Sequence, residues 1–492
     1  MNVQEEKHEI SASPGSSLLL NEINRERLWG TLREIVESHL RNIEQVPVSP
    51  VLNPQRIRSL VESFHFKEPV DADKLMREIG SALIDNQVHT SHPSYFGLFN
   101  PAPTTMSIFA DALVAALNPQ LAAWSHSPLA VEIEAHLVRS FAGKIGYSVA
   151  ESDGCFTTGG AEANQTALLS ALYAQWPAAL RNGLSSIPGR PTFYVSSEGH
   201  HSFLKAARVC GLGDAALRQV PVGEDLRLDL DQLRQMMRED RLQGSLPFMI
   251  AGTAGATGSG AIDPLRGIAT VARQEGVWFH VDAAWGGAAM LVPELRGALE
   301  GIAEADSITL DAHKWLSVSM AGGMFLTRHR EILGRLFSLQ TAYMPKDAGE
   351  LAAADPYTHS LQWSRRFTGL KLFLSLAVAG WDGYAKVLQH QTRMGELLRA
   401  RLRSEGWQIV NDTSLPLVCF TDVKCLTSLQ DHGRFADAVV SSGKAWISTI
   451  QLGVEKQPAL RACITNYKTE ERHIEALVLL LRQIRERSCC AG

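Results

Sequence analysis

Asp311-Ala312-His313-Lys314-Trp315-Leu316, read together with Trp278-Phe279-His280-Val281-Asp282-Ala283-Ala284, decides the fold of this chain. Each stretch follows or contains a short apolar run of the kind that forms a buried strand. A lysine at the end of such a strand can form a Schiff base with an aldehyde cofactor. An aspartate on a neighbouring strand can keep that cofactor's ring nitrogen protonated. The pairing points to pyridoxal phosphate. A His-Lys dipeptide standing alone reads as solvated surface; its position after the aspartate strand gives it weight.

Outward from these strands, Thr192–Val195, Phe248–Ala251, Ser307–Leu310 and Gly323–Thr327 also read as buried strands, separated by helix-compatible sequence such as Ile268–Gln274. This alternation predicts an α/β domain with a mostly parallel sheet over residues 91–378. Beyond it, residues 379–492 read as a smaller α+β domain. Helices are expected around Ala385–Glu405 and Glu471–Arg485, and strands at Trp407–Asn411, Leu417–Thr421 and Leu460–Thr465. Residues 1–90 read as a helical arm: Leu28, Leu32, Ile35, Val36 and Leu40 share one helix face, and a second helix spans about Ala72–Ile84. Such an arm has little core of its own and must pack on something else.

With 492 residues, 45% of them hydrophobic, the chain can bury a large core. Its 47 basic and 52 acidic residues give a formal charge of -5, so no basic surplus points to nucleic acid or an anionic membrane. No apolar run approaches the roughly 20 residues of a membrane span, and Met1–Ile10 lacks the pattern of a signal peptide. The seven cysteines lack CxxC spacing, which indicates neither a zinc site nor a disulfide framework. A reducing cytoplasm is the expected compartment, and no metal is expected.

The chemistry gathers in four further places. Thr157-Thr158-Gly159-Gly160-Ala161-Glu162-Ala163-Asn164 leads into a helical run, and glycines at a helix start let the backbone approach a phosphate. No Gly-Lys-Ser/Thr follows, so it is not a Walker loop. Glu198-Gly199-His200-His201-Ser202 offers an imidazole able to stack on a pyridine ring. Ala251–Gly260 is a loop of small residues whose glycines do not make GxGxxG. Asp282 has the clearest task. At an effective dielectric near 20, opposite charges about 4 Å apart gain on the order of 4 kcal/mol, enough to hold a ring nitrogen protonated. Lys314 needs surroundings dry enough to favour its neutral form.

In their order along the chain, TTGGAEAN, EGHHS, HVDAAWGG and DAHKWL resemble the pyridoxal-phosphate-dependent group II amino acid decarboxylases, which include the aromatic amino acid, histidine and glutamate decarboxylases. The resemblance runs from His92-Pro93-Ser94-Tyr95-Phe96 to Leu460-Arg461-Ala462-Cys463-Ile464-Thr465-Asn466. It implies a type I aminotransferase-like fold, an obligate homodimer with active sites at the interface, and a packing partner for the arm. It further implies that Lys314 carries the Schiff base and His313 adjoins the phosphate. Asp282 would pair with the pyridine nitrogen, Ala284 would lie against one ring face and His201 against the other. Thr257 would approach the ring substituents, and Gly160 and Ala161 would form the phosphate turn. The chain departs from the pattern twice. Ala161 stands where many relatives have Ser or Thr, and Asp311-Ala312 where several have Asn-Pro. A carboxylate near a phosphate would repel it, so Asp311 is expected to turn toward another donor.

The same resemblance implies α-decarboxylation of an L-amino acid. Arg461 would orient the α-carboxylate, and Tyr357, with Tyr343 as second candidate, would return the proton to Cα. Phe96 and the segment holding Gln120, Trp124 and His126 would shape the substrate pocket. The small Ala122 beside Gln120 and His126 leans toward a polar or acidic substrate, while Trp124 and Phe96 keep aromatic ones open. The alternatives are a carbon–carbon lyase, an oxidative aldehyde synthase, and a dimer without catalysis.

Overall fold

The computed structural model describes residues 18–99, 101–339 and 354–489 of the chain. They form two compact units, one ending at His89 and the other beginning at Thr90. The first unit holds α1 (Glu22–Asn42), α2 (Pro54–Glu62) and α3 (Ala72–Asp85). Each begins on a residue suited to accept an orphan backbone N–H: Asn21 accepts from Asn24, Asn53 from Arg56, and Asp71 from Lys74. Pro54 adds a preset φ at the first position of α2. α1 and α3 are held together by Arg77, which reaches Glu34 at 2.9 Å and Asp73 at 3.1 Å. Large apolar side chains of this unit remain exposed, among them Ile23, Trp29, Val61 and Phe66.

The second unit is built on a seven-stranded sheet. Its strands are β1 (Asp153–Thr157), β2 (Arg190–Ser196), β3 (Leu217–Val220), β4 (Ser245–Thr253), β5 (Trp278–Asp282), β6 (Ser307–Asp311) and β7 (Gly323–Thr327). They lie in the order β1-β7-β6-β5-β4-β2-β3. The run from β3 to β6 is parallel, and β7 is antiparallel to both β6 and β1. β5, β6 and β7 are buried at every position, which explains why they read as continuous apolar runs. Val281, Ile308 and Leu310 face one core, and Phe193, Phe248 and Ala251 face the other.

A four-stranded antiparallel sheet follows, formed by β8 (Gln408–Ile409), β9 (Leu417–Thr421), β10 (Ser448–Leu452) and β11 (Gln457–Cys463), in the order β10-β11-β9-β8. The boundary expected at residue 378 falls inside the helix Gly369–Ser404, which kinks at Gly380 where φ is 67°. Left-handed backbone of that sign favours glycine.

Cys155, Cys210, Cys419 and Cys463 are free thiols, whereas Cys425 is disulfide-bonded, which the cysteine spacing did not indicate. Among the described residues no helix is long and apolar enough to cross a membrane.

Candidate active site

The carboxyl ends of β4, β5 and β6 finish abreast, with Thr253 opposite Asp282 and Asp282 opposite Thr309. Open parallel sheets bind their ligands at such ends. Here a cavity of about 350 Å³ is lined by Gly160, Ala161, Thr257, Asp282, Ala284, His313 and Lys314, all singled out from sequence, together with Asn164, His200, Trp285 and Asp311.

One end of the cavity is the turn between β1 and α6 (Gly160–Gln175). Gly159 caps α6 with no side chain of its own, so the first backbone N–H groups remain available to an anion. A Cβ on Gly160 would lie 2.8 Å from Asp311 Oδ2 and 3.2 Å from the Cβ of Ala284, so glycine keeps this wall thin. Glu162, in the first turn, is held by Thr158, whose backbone N–H and hydroxyl each donate to its Oε2 at 2.8 Å.

At the other end, Asp282 is buried and its carboxylate is fixed at both oxygens. Oδ2 accepts from Asn164 Nδ2 at 2.8 Å, and Oδ1 accepts from the backbone N–H of Ala284 at 3.2 Å. Asn164 is oriented in turn by Thr309, whose hydroxyl donates to its Oδ1 at 2.7 Å, and by His280 Nε2 at 3.2 Å. Burial pushes the His280 pKa down to about 4, so this imidazole adds no charge behind the carboxylate. The positioning role of Asn164 was missed in the sequence, although the residue closes the glycine-turn motif. A buried amide one helical turn past a phosphate turn was the available signal.

Lys314 reaches into the cavity between these ends. Its Nζ lies 3.0 Å from Asp311 Oδ2 and 5.8 Å from the centroid of the Phe99 ring. The donor to which Asp311 turns is therefore the lysine itself. The other carboxylate oxygen, Oδ1, is buried without a hydrogen-bond partner. His313 Nε2 stands 3.9 Å from Asp311, and burial lowers the His313 pKa.

Several expected positions are placed differently. His200 lines the cavity, whereas His201 lies outside its wall. The helix Ser202–Val209 begins directly after His201, and the Ser202 N–H donates to His200 Nδ1 at 3.2 Å, fixing the earlier ring. Titration of pyridoxal phosphate into His200→Ala and His201→Ala proteins separates the two. The geometry predicts a loss of about tenfold in affinity for the first, the size of a ring-stacking contact, and no change for the second.

Phe96 is fully buried in the smaller core, which also holds Leu460 and Trp407, and its backbone bonds Trp446 and Cys463. It is unavailable to a substrate. Phe99, three residues on, takes the site-facing place and stacks on Trp285 at 4.5 Å between centroids. Gln120 and His126 are exposed and Trp124 is half-buried, and none lines the cavity. Tyr357 also stands outside its wall. It sits in a short 3-10 turn, its N–H donates to the Ala122 carbonyl at 3.1 Å, and its ring lies 5.0 Å from that of Trp363. Asp355 ties the same turn to Trp124 N–H at 2.7 Å. Tyr343 lies outside the described residues.

Arg461 is buried beside the cavity. Nε donates to the Thr257 carbonyl at 2.9 Å and Nη1 to the Gly97 carbonyl at 2.7 Å, while Nη2 is buried with no partner. Its guanidinium lies 5.1 Å from the Phe99 centroid, so Phe99 faces both Arg461 and Lys314.

Among the described residues no cluster of three His, Cys, Asp or Glu could hold a metal ion. The donor set suits pyridoxal phosphate. The open N–H groups of α6 suit its phosphate, the Lys314 amine its aldehyde, the thin wall at Ala284 and Gly160 its flat ring, and the fixed Asp282 carboxylate its ring nitrogen.

Comparison with known proteins agrees with this chemistry. The chain is 26% identical over 465 residues to an aromatic-L-amino-acid decarboxylase of Bacillus atrophaeus, covering 92% of this chain and 94% of that protein. It is 29% identical to the L-aspartate decarboxylase dtxS4 of Metarhizium robertsii, over 75% of each. Its fold matches the crystal structure of mouse CSAD with a TM-score of 0.87, at 24% identity over 94% of this chain and 99% of that one. It matches Oryza sativa TDC with PLP and tryptamine with a TM-score of 0.88, at 24% identity over 97% and 99%. The model of the pyridoxal-dependent decarboxylase conserved domain matches residues 54–423. On that match, and on a cavity whose glycine turn, lysine and carboxylate suit the same cofactor, the chain belongs to the pyridoxal-phosphate-dependent decarboxylases of group II and is an amino acid decarboxylase.

Proposed function

We propose that this enzyme removes the α-carboxylate of an L-amino acid, oriented by Arg461, in a cavity completed by a second copy of the chain. The supporting observation is the buried Arg461 Nη2, a cationic donor without an acceptor beside the cavity that holds Lys314. An unpaired buried charge is costly, so a carboxylate arriving with the substrate would complete its bonding.

Pyridoxal phosphate, when bound, supplies the electron sink for the bond to the departing carboxylate. The chain's own residues do the rest. Lys314 offers the amine that meets the cofactor's aldehyde. Asp282, held by Asn164, keeps a proton on the ring nitrogen. Phe99, Trp285 and Trp315 form a continuous aromatic wall, with centroids 4.5 and 5.7 Å apart, that keeps water from the reacting carbon.

The proton returned to Cα comes from a phenol. Tyr357 is pinned through its backbone to Ala122 and stacked on Trp363, so entry into the cavity of its own subunit would break both contacts. We therefore exclude Tyr357 as the donor within its own subunit and assign the donor to Tyr343, the second candidate from the sequence, with Tyr357 holding the Ala122–Trp124 segment. Product analysis of two variants tests this. Tyr343→Phe is expected to lower amine yield by about a hundredfold, the lower range for loss of a general acid, and, with dioxygen and water as co-reactants, to release aldehyde, CO2, ammonia and hydrogen peroxide instead. Tyr357→Phe is expected to keep the amine as its product. The reverse pattern restores Tyr357 as the donor.

Two observations support the second copy. Ala122 and Trp124 are hydrogen-bonded to the Asp355–Tyr357 turn outside the cavity of their own chain, and Gln120 and His126 of the same segment are exposed. Phe109, Leu113 and Leu117 form an exposed apolar stripe on α4 (Thr105–Leu117), and the N-terminal unit leaves Trp29 and Ile23 exposed. Light scattering should return twice the chain mass. For the substrate, small buried Ala122 and Ala123 next to polar Gln120 and His126 favour a polar or acidic side chain over an aromatic one.

A further inference from the structure

We propose that Asp311 sets the strength of cofactor retention, by placing a carboxylate against the phosphate end of the cavity. The inference rests on the cofactor assignment above and concerns a residue to which that assignment gives no task.

The placement is built into the local backbone. Asp311 ends β6 and is 2% exposed. Two glycines make room for its carboxylate. A Cβ on Gly160 would lie 2.8 Å from Oδ2, a Cβ on Gly323 would lie 2.7 Å from Oδ1, and the same Gly323 position would meet Gly159 Cα at 2.7 Å. The carboxylate therefore lies against the glycine turn at the start of α6, whose open N–H groups favour an anion. Oδ1 is buried and unpartnered, and Oδ2 has Lys314 Nζ at 3.0 Å.

The other charged groups near it do little to neutralise it. His313 Nε2 stands 3.9 Å away, and burial favours its neutral form. His200, across the cavity, is likewise depressed by burial. Asp282 adds a second negative charge in the same wall. Lys371, on the helix Gly369–Ser404, is committed to Asp111 and to the carbonyls of Ser319 and Met320. Glu162 of α6 is turned to Thr158 and Gln362. Lys314 is thus the one close cation of Asp311 among the described residues, and it is also the group that the aldehyde consumes.

An anion arriving beside this carboxylate is repelled by it, which weakens capture of the phosphate. The neutral side chain of Asp311→Asn removes that repulsion and can donate a hydrogen bond to the anion.

Two probes isolate the effect: 4-deoxypyridoxine 5'-phosphate, which lacks the aldehyde and so does not react with Lys314, and the same ring without phosphate. Fluorescence titration at pH 8 should show Asp311→Asn binding the phosphorylated probe about tenfold more tightly than wild type, with the phosphate-free probe unaffected. Asp311→Ser, which is smaller and neutral, should change in the same direction. An equal effect on both probes, or weaker binding of the phosphorylated one in both variants, would overturn the proposal. A wild-type protein that develops no visible absorbance with pyridoxal phosphate would instead overturn the cofactor assignment, and the proposal with it.

Discussion

Lys314→Ala protein is expected to lose decarboxylation by at least about 10⁴-fold, because no other amine in the cavity wall can take the place of the one that meets the aldehyde. Among the described residues lining the cavity, Lys314 is the only lysine. The substitution also strands the buried Asp311 carboxylate, whose other oxygen already lacks a partner. A modest fall in thermal stability should therefore accompany the lost activity, on the order of the 1–3 kcal/mol that a buried unpaired polar group costs. The double variant Lys314→Ala/Asp311→Asn should recover stability without recovering activity. Calorimetry together with a CO2-release assay checks both halves. Residual turnover in Lys314→Ala above a thousandth of wild type would place the essential amine elsewhere.

Asp282→Asn is the second large effect. A carboxylate facing a protonated ring nitrogen contributes on the order of 4 kcal/mol at an effective dielectric near 20, and each 1.36 kcal/mol is a factor of ten, so kcat should fall by about three powers of ten. The neutral amide can still fit, since it can turn its oxygen toward Asn164 Nδ2, now 2.8 Å from the carboxylate. Cofactor should therefore still bind, and the loss should fall on kcat rather than on uptake. A comparable loss from Asn164→Ala would show that orienting the carboxylate matters as much as its charge. Steady-state kinetics with spectroscopic cofactor titration distinguishes these outcomes.

The sheet was legible where strands are buried on both faces. β4, β5, β6 and β7 carry too few polar residues for any other reading. The edges were not. β1 is Asp-Gly-Cys-Phe-Thr and β3 is Leu-Arg-Gln-Val, too short and too polar for a periodicity argument; β1 is recruited by pairing with the fully buried β7 and β3 by pairing with the longer β2. β8 forms over Gln408–Ile409 alone within the run expected from Trp407 to Asn411, because Trp407 belongs to the core and the Asn411 side chain bonds the carbonyls of Ser259 and Leu417.

The cavity was legible for a related reason. Asp282, Lys314 and Gly160 follow strands that end on the same side of one sheet, so their spacing in sequence becomes proximity in space. What sequence could not resolve were choices between neighbours. His200 and His201 differ only in which precedes the helix start, and Phe96 and Phe99 only in which side of the chain faces the smaller core. The network behind Asp282 joins Asn164, His280 and Thr309 from three elements, and no local pattern announces it.

The central claim is that this cavity releases the α-carboxylate of an amino acid and returns a proton in its place. The most direct measurement incubates the enzyme, loaded with pyridoxal phosphate, with a panel of acidic, polar and aromatic L-amino acids, quantifying CO2 and identifying the amine by mass. Equimolar CO2 and amine from one substrate class, highest for acidic or polar side chains, is the predicted result. Aldehyde cleaved from a retained carboxylate, or no CO2 from any substrate while the cofactor is visibly bound, would contradict it.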